Sequence, residues 1–268
     1  MPFVRTTTGD DGIVVVELDD PDRYNALTSP MVQELTAVFA DLRRDRSTRV
    51  VVLAANGKGF CSGANLAGGE ELPEIARDRG PVGLVQMMQE QLAELILAIH
   101  ELPQPVIAAV HGAAVGGGLA LALACDLRVA SDDAFFAAQF IRVGMSSCDV
   151  GTSYTLPRIV GPTVAAELML TGRRFGAEEA LRLGVLNRVV PRTELLTAAH
   201  ELGSAIAANS EYGVYMTKIG MWANLDAPSF RHAMQLENRT QVLGTFTGNM
   251  TEAGKAFVEK REPVWKPM

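Results

Sequence analysis

Apolar residues fall along the chain in two kinds of pattern. Short β-branched runs at residues 13–18 (IVVVEL) and 50–54 (VVVLA) predict strands. Between them, residues 30–44 read as a helix, with Ser29 as N-cap and Pro30 at the first helical position. The turn Asn56-Gly57-Lys58-Gly59 ends the second strand. Residues 68–81 are polar, acidic and punctuated by glycine, which predicts a mobile loop able to order on a ligand; a long helix over residues 82–101 follows.

The next segment, VIAAVHGAAVGGGLALALAC at residues 106–125, has 20 residues and no formal charge. That is long enough to span a bilayer, and Gly112 and Gly116 fit a GxxxG helix-pairing pattern. Pro103 and Pro105 before the run, His111 within it and three consecutive glycines at 116–118 argue against a spanning helix, since each interior glycine costs roughly 1 kcal/mol. The better parse is a buried strand at 106–110, a glycine turn and a helix at 117–124, a unit that presents a helix N-terminus for binding chemistry. Beyond it the pattern predicts short strands at 126–130 and 134–137 around the turn Ser131-Asp132-Asp133. Helices at 151–160, 162–170 and 177–183 and a strand near 185–190 come next. From Arg192 onward the signal is almost wholly helical. A soft boundary near residue 200 thus separates an α/β core, residues 1–200, from a helical region, residues 201–268.

Composition narrows the function. The 268 residues include 24 Lys and Arg against 31 Asp and Glu, a net charge of -7, so no general polyanion surface and no nucleic-acid partner is expected. At 48% hydrophobic residues the chain can fold on its own. Cys61, Cys125 and Cys148 are odd in number and widely spaced, which predicts free thiols in the core, a reducing compartment and a cytoplasmic protein. No secretory signal opens the sequence, so the Asn238 and Asn249 sequons are expected to be unused. No metal-ligand spacing, Walker motif or GxGxxG fingerprint is present, and no metal or separate cofactor is expected.

Three segments in order, PDRYNALT at 21–28, GKGFCSGANL at 57–66 and IAAVHGAAVGGGLALALACDLRVA at 107–130, resemble the crotonase superfamily of enoyl-CoA hydratase/isomerase proteins. Further matches lie in LMLTGRRFGAEEALRLGVLNRVV and in the tail KAFVEKREPVWK, so the resemblance covers nearly the whole chain. It implies an α/β fold with a ββα spiral core, a helical C-terminal region, and an acyl-CoA thioester as substrate, with coenzyme A belonging to that substrate. By the same similarity, the amides of Ala64 and Gly117 form an oxyanion hole for the thioester oxygen. At Gly117 the positive pole of a helix adds to the effect, and glycine lets substrate approach the backbone.

The general base is where the sequence departs from the family. The two glutamates that hold water in typical hydratases fall here at Ala120 and Phe140. Instead Asp149, in SSCDVGTSYTLPRIVG at 146–161, resembles the segment in which an aspartate acts in dienoyl-CoA isomerases and in a chlorobenzoyl-CoA dehalogenase. Asp149 as acid or base and Asp149 as a simple helix N-cap are both open at this level. Ser153 and Tyr154 are further polar candidates for orienting substrate or water; His111 reads as a packed core histidine and Glu237 as part of a solvated helix face. For the CoA moiety and acyl group the resemblance points to Arg23, Ala26, Ala64, Asn65, Leu66 and Phe140. Phe257 and Lys260 would serve a neighbouring subunit's site in a homotrimer or dimer of trimers. The function implied is enolate chemistry on an acyl-CoA. Isomerase-like, hydrolase- or dehalogenase-like activity, and a CoA-binding scaffold without turnover, are the alternatives.

Overall fold

Strand β3 (Val50–Ala55) shows why so many apolar residues are consecutive. Val51, Leu53 and Ala55 face one apolar cluster and Val50, Val52 and Ala54 face another, so both sides of the strand are buried. The same alternation holds in β4 (Val106–Val110), where Val106, Ala108 and Val110 face the first cluster and Ile107 and Ala109 the second. In the computed structural model, which describes residues 2–65 and 80–268, these are the central strands of a six-stranded sheet.

The sheet runs in the order β1-β2-β3-β4-β6-β9, with β1 (Val4–Thr8), β2 (Ile13–Leu18), β6 (Leu127–Ser131) and β9 (Arg188–Val190) completing it. Only the β1–β2 pair is antiparallel. Helix α1 (Ser29–Arg44) contributes Met31, Leu35 and Phe39 to the first cluster, as α2 (Gly80–His100) contributes Leu95, Ile96 and Ile99. The 20-residue apolar run continues from β4 through β5 (Ala113–Val115) into α3 (Gly117–Ala124), whose eight residues are all buried. Among the described residues, α2 is the one helix long and apolar enough to cross a bilayer by length and composition. Its C-terminal half packs into the core instead.

A second sheet, β5-β7-β8, is built from β5, β7 (Phe135–Ala137) and β8 (Phe175–Gly176). The chain steps from the large sheet to the small one at Gly112, whose φ of +53 and close approach to Lys58 O leave no room for a Cβ. Strands β6 and β7, expected on either side of the turn Ser131-Asp132-Asp133, are both present and belong to different sheets. Helices α4 (Thr152–Val160), α5 (Pro162–Thr171) and α6 (Ala177–Arg182) follow the second sheet's strands. Helix α7 (Leu195–Ala207) crosses the boundary drawn near residue 200 and covers the second cluster through Leu195, Ala198 and Ala199. Helices α8 (Glu211–Leu225), α9 (Phe230–Thr245) and α10 (Asn249–Glu259) complete the C-terminal region.

Two local expectations are corrected. The N-cap of α1 is Thr28, whose Oγ1 accepts the Met31 amide at 3.4 Å, so the helix begins one residue before Pro30. Cys148 is exposed rather than a core residue, whereas Cys61 and Cys125 are buried, and burial pushes each of those thiols up to about 12. The loop expected at residues 68–81 lies almost entirely outside the described residues.

Candidate active site

The first wall of the site is backbone. Residues 59–63 are threaded onto β5: Cys61 donates its amide to Ala113 O at 2.9 Å and Cys61 O accepts from Val115 at 3.0 Å. A Cβ on Gly118 would stand 2.1 Å from Cys61 O, and one on Gly63, at a φ of +91, 2.7 Å from Val115 O. These contacts bring the two glycine segments together, and a Cβ on Gly117 would lie 3.7 Å from the amide nitrogen of Ala64. Among the described residues neither the Ala64 nor the Gly117 amide donates a hydrogen bond. Gly117 opens α3, so its amide sits at the helix's positive pole.

The loop before α1 is fastened beside this wall by Asn25. Its buried side chain donates to Asn56 O at 2.8 Å and to Gly59 O at 3.0 Å, and accepts the Asp20 amide at 2.8 Å. Asn25 is held at a φ of +53, a conformation asparagine tolerates better than most residues. Leu27 then donates its amide to Gly63 O at 2.8 Å, placing the Leu27 side chain at the mouth of the Ala64 and Gly117 amides.

The second wall is made of side chains. A pocket of about 320 Å³, mouth included, is lined by Leu27, Ala64 and Gly117 on one side and by Phe140, Asp149 and Val150 on the other, with Leu92, Leu95 and Ile96 of α2 closing it. Among the described residues, Asp149 is its only titratable lining residue, and it is half-buried. Its Oδ1 accepts the side-chain amide of Gln89 and, at 2.8 Å, the amide of Val150. The N-cap of α4 is Gly151, and no side chain caps that helix, so Asp149 does not perform the capping job that its place in the sequence allowed. Val150 sits at a φ of +35, a strained setting for a β-branched residue that turns the chain sharply after Asp149.

The profile of the Enoyl-CoA hydratase/isomerase family matches residues 8–267. The chain belongs to that family. It is 41% identical over 254 residues to the probable enoyl-CoA hydratase EchA12 of Mycobacterium tuberculosis, covering 94% of this chain and 89% of that protein. The structure of a probable enoyl-CoA hydratase/isomerase from Mycobacterium abscessus superposes with a TM-score of 0.89 at 39% identity, covering 99% of both chains. A monofunctional enoyl CoA isomerase from M. smegmatis superposes with a TM-score of 0.74 at 39% identity, over 88% of this chain and 99% of that one. The fold is therefore the crotonase fold, and the chain is an enzyme of the hydratase/isomerase type.

Other residues singled out from the sequence distribute unevenly around the family's pocket. Ala120 is buried within α3 and, like Phe140, carries no carboxylate. Arg23 is exposed and 3.7 Å from Asp20 Oδ2; Ala26 is buried two residues before Thr28; Asn65 adjoins Ala64; Leu66 lies outside the described residues. Phe257 is 87% exposed near the end of α10, and Lys260 ends that helix at a φ of +53, both away from this chain's own pocket. Tyr154 does not face the pocket: its hydroxyl donates to Asp226, and Arg158 stacks on its ring at 3.5 Å. Ser153 is exposed. His111 is buried with Nε2 3.1 Å from Gly57 O, the packed histidine that was expected. Glu237 accepts from Asn224 at 3.2 Å on the α8–α9 face. Among the described residues, no three His, Cys, Asp or Glu side chains gather as metal ligands would. Gln89 escaped sequence reasoning because it stands on the exposed face of a helix with no motif around it; only its reach to Asp149 marks it.

Proposed function

We propose that this enzyme moves a proton on an acyl-CoA thioester through an enolate, with Asp149 as acid and base and the Ala64 and Gly117 amides holding the thioester oxygen. The observation that carries this reading is a pocket bounded, among the described residues, by two amides that donate no hydrogen bond and by the Asp149 carboxylate. A 3-enoyl thioester illustrates the step. Asp149 takes a proton from C2, the freed pair forms the C1–C2 double bond, and the carbonyl pair moves onto the oxygen facing Ala64 and Gly117. The protonated Asp149 then delivers that proton to C4, the double bond settles between C2 and C3, and the carbonyl reforms. No oxidant, metal or added water enters. Two aligned amides supply several kcal/mol to such an oxyanion, and a positioned acid-base group typically 10²–10⁴-fold in rate.

Isomerisation is favoured over hydration because hydration in this family's usual form employs two glutamates on one water, and Ala120 and Phe140 stand in their places. The apolar faces of Leu92, Leu95, Ile96 and Phe140 suit an acyl chain rather than a bound water. We assign the CoA moiety to the surface beside Ala26, Ala64 and Asn65, with Arg23 as a phosphate partner. Phe257 and Lys260 would complete a neighbour's site in a homotrimer or dimer of trimers, consistent with their exposure here. The free thiols fit a cytoplasmic setting.

The test is a panel of 2-enoyl, 3-enoyl and dienoyl-CoA thioesters incubated in deuterated water and read by mass spectrometry. Deuterium at the α-carbon or a shifted double bond is expected, and both should vanish in Asp149→Asn while acyl-CoA still binds in calorimetry. Turnover that survives Asp149→Asn overturns the role of Asp149. Binding with neither exchange nor product in the wild type would select the scaffold reading.

A further inference from the structure

Helix α3 has two ends, and the end away from the pocket holds an unusual charge. Arg128, on β6, is 7% exposed. Its Nε donates to Val185 O at 2.6 Å, and its Nη1 donates to Cys125 O at 2.6 Å and Ala122 O at 3.3 Å. Every side-chain acceptor is thus a main-chain carbonyl, and two of them belong to the last turn and C-cap of α3. Among the described residues no carboxylate forms an ion pair with Arg128. The nearest acid in sequence, Asp126, is already engaged: Lys218 Nζ lies 2.7 Å from its Oδ2, Trp222 Nε1 donates to its Oδ1 at 2.9 Å, and the Val106 amide donates to its Oδ2 at 2.8 Å. The Cys125 thiol beside Arg128 is pushed up to about 12 by burial and stays neutral. Asp126 is thus held by Lys218 rather than by Arg128, whose guanidinium is buried against main-chain carbonyls.

Carbonyls at the end of a buried helix need donors, but they do not need a cation. Burying a guanidinium with no carboxylate in contact is costly, and burial lowers its proton affinity against the opposing pull of the nearby Asp126 charge, although arginine remains charged. A costly feature aligned with a reactive site invites a functional reading.

We propose that Arg128 is an electrostatic positioning residue for the thioester oxygen, a buried cation that quenches the negative pole of α3 and leaves the positive pole at Gly117 unopposed. The inference rests on the oxyanion-hole reading above. Helix rise over eight residues puts the charge about 12 Å from the oxyanion. Across that distance, at an effective dielectric constant of about 20, Coulomb's law corresponds to about a tenfold change in rate.

The experiment compares the wild type with Arg128→Gln, which keeps donors without charge, and Lys218→Gln, which leaves the Arg128 hydrogen bonds intact but frees the Asp126 carboxylate to oppose it. Bound hexanoyl-CoA, labelled with carbon-13 at the thioester carbonyl, serves as a probe that cannot isomerise; its carbonyl stretch is read by difference infrared spectroscopy. The wild type is expected to shift the stretch to lower frequency on binding. Both variants should show a smaller shift, and Arg128→Gln should lower kcat about tenfold with KM within about twofold. Wild-type shift and kcat retained in both variants, with only thermal stability reduced, would reduce Arg128 to a structural clamp and overturn the inference while leaving the oxyanion hole standing. If Arg128→Gln does not fold, the carbonyl shift in Lys218→Gln decides alone. No shift in the wild type would remove the oxyanion-hole reading itself, and this inference with it.

Discussion

One wall of the pocket, Ala64 and Gly117, offers main-chain amides locked by inter-strand hydrogen bonds and by glycines that admit no side chain. The opposite wall offers side chains, Phe140 on a short 3₁₀ helix and Asp149 on irregular chain beside a strained Val150. The first can stabilise charge on any thioester oxygen. On the proposed mechanism, the second would decide which proton moves and which acyl group fits. A family that changes its reaction while keeping its substrate handle is expected to vary the second wall and hold the first, and Phe140, on the second wall, stands where the resemblance places one hydratase glutamate.

The comparison can be broken most severely from the backbone side. Gly118→Val places a side chain on the carbonyl of Cys61, which is main chain and has no flexible end to yield. We expect a loss of more than about 3 kcal/mol, read as a fall in the urea midpoint or in soluble yield. Asp149→Asn touches only the other wall, so kcat should fall about 10²–10⁴-fold while stability stays within about 0.5 kcal/mol of wild type. Gly117→Ala falls between the walls. Its Cβ would meet Leu27 Cδ1 at 2.8 Å, the far end of a flexible side chain, so the fold should survive while Leu27 is displaced at the pocket mouth. About a tenfold loss of kcat/KM is expected in steady-state assays.

Subtler changes sharpen the contrast. Gln89→Leu removes one donor to Asp149 from an exposed helix face, which should lower kcat about threefold to tenfold without moving the melting temperature. The smallest effect concerns His111, at the step between the two sheets. Burial, then the positive charge of Arg192, hold its imidazole below 6.5, against the opposing pull of Gly57 O and Asp133. The unfolded chain takes up this proton more readily than the folded one. Stability present above pH 6.5 should therefore decline as the pH falls through 6.5 toward the folded-state value, and His111→Gln should flatten that slope in thermal melts.

The two walls also differ in how far they can be read from sequence. The strand, glycine turn and α3 were legible because three glycines in an apolar run have few other uses, and their order with GKGFCSGANL fixed the partner loop. Strand β5 stayed hidden inside that run because Ala113–Val115 is too short and too small-chained to differ from a turn. Thr28 and Ser29 offer equivalent caps on paper; only the Met31 amide chooses between them. Asp149 could be found but not interpreted, because acid, base and N-cap share one residue type and one position before a helix. Gln89 carried no signal, since its role is a long-range contact made by packing α2 over the pocket.

The pocket also collects residues far apart along the chain, from Leu27 to Val150, so no short fragment contains it. Both tryptophans lie elsewhere: Trp222, on α8, meets His100 with ring centroids 4.6 Å apart, and Trp265 donates to Ala208 O at 2.6 Å. Intrinsic fluorescence during refolding will therefore record the C-terminal helices settling onto the core, while catalysis records closure of the spiral, and a delay between the two signals would order these events in time.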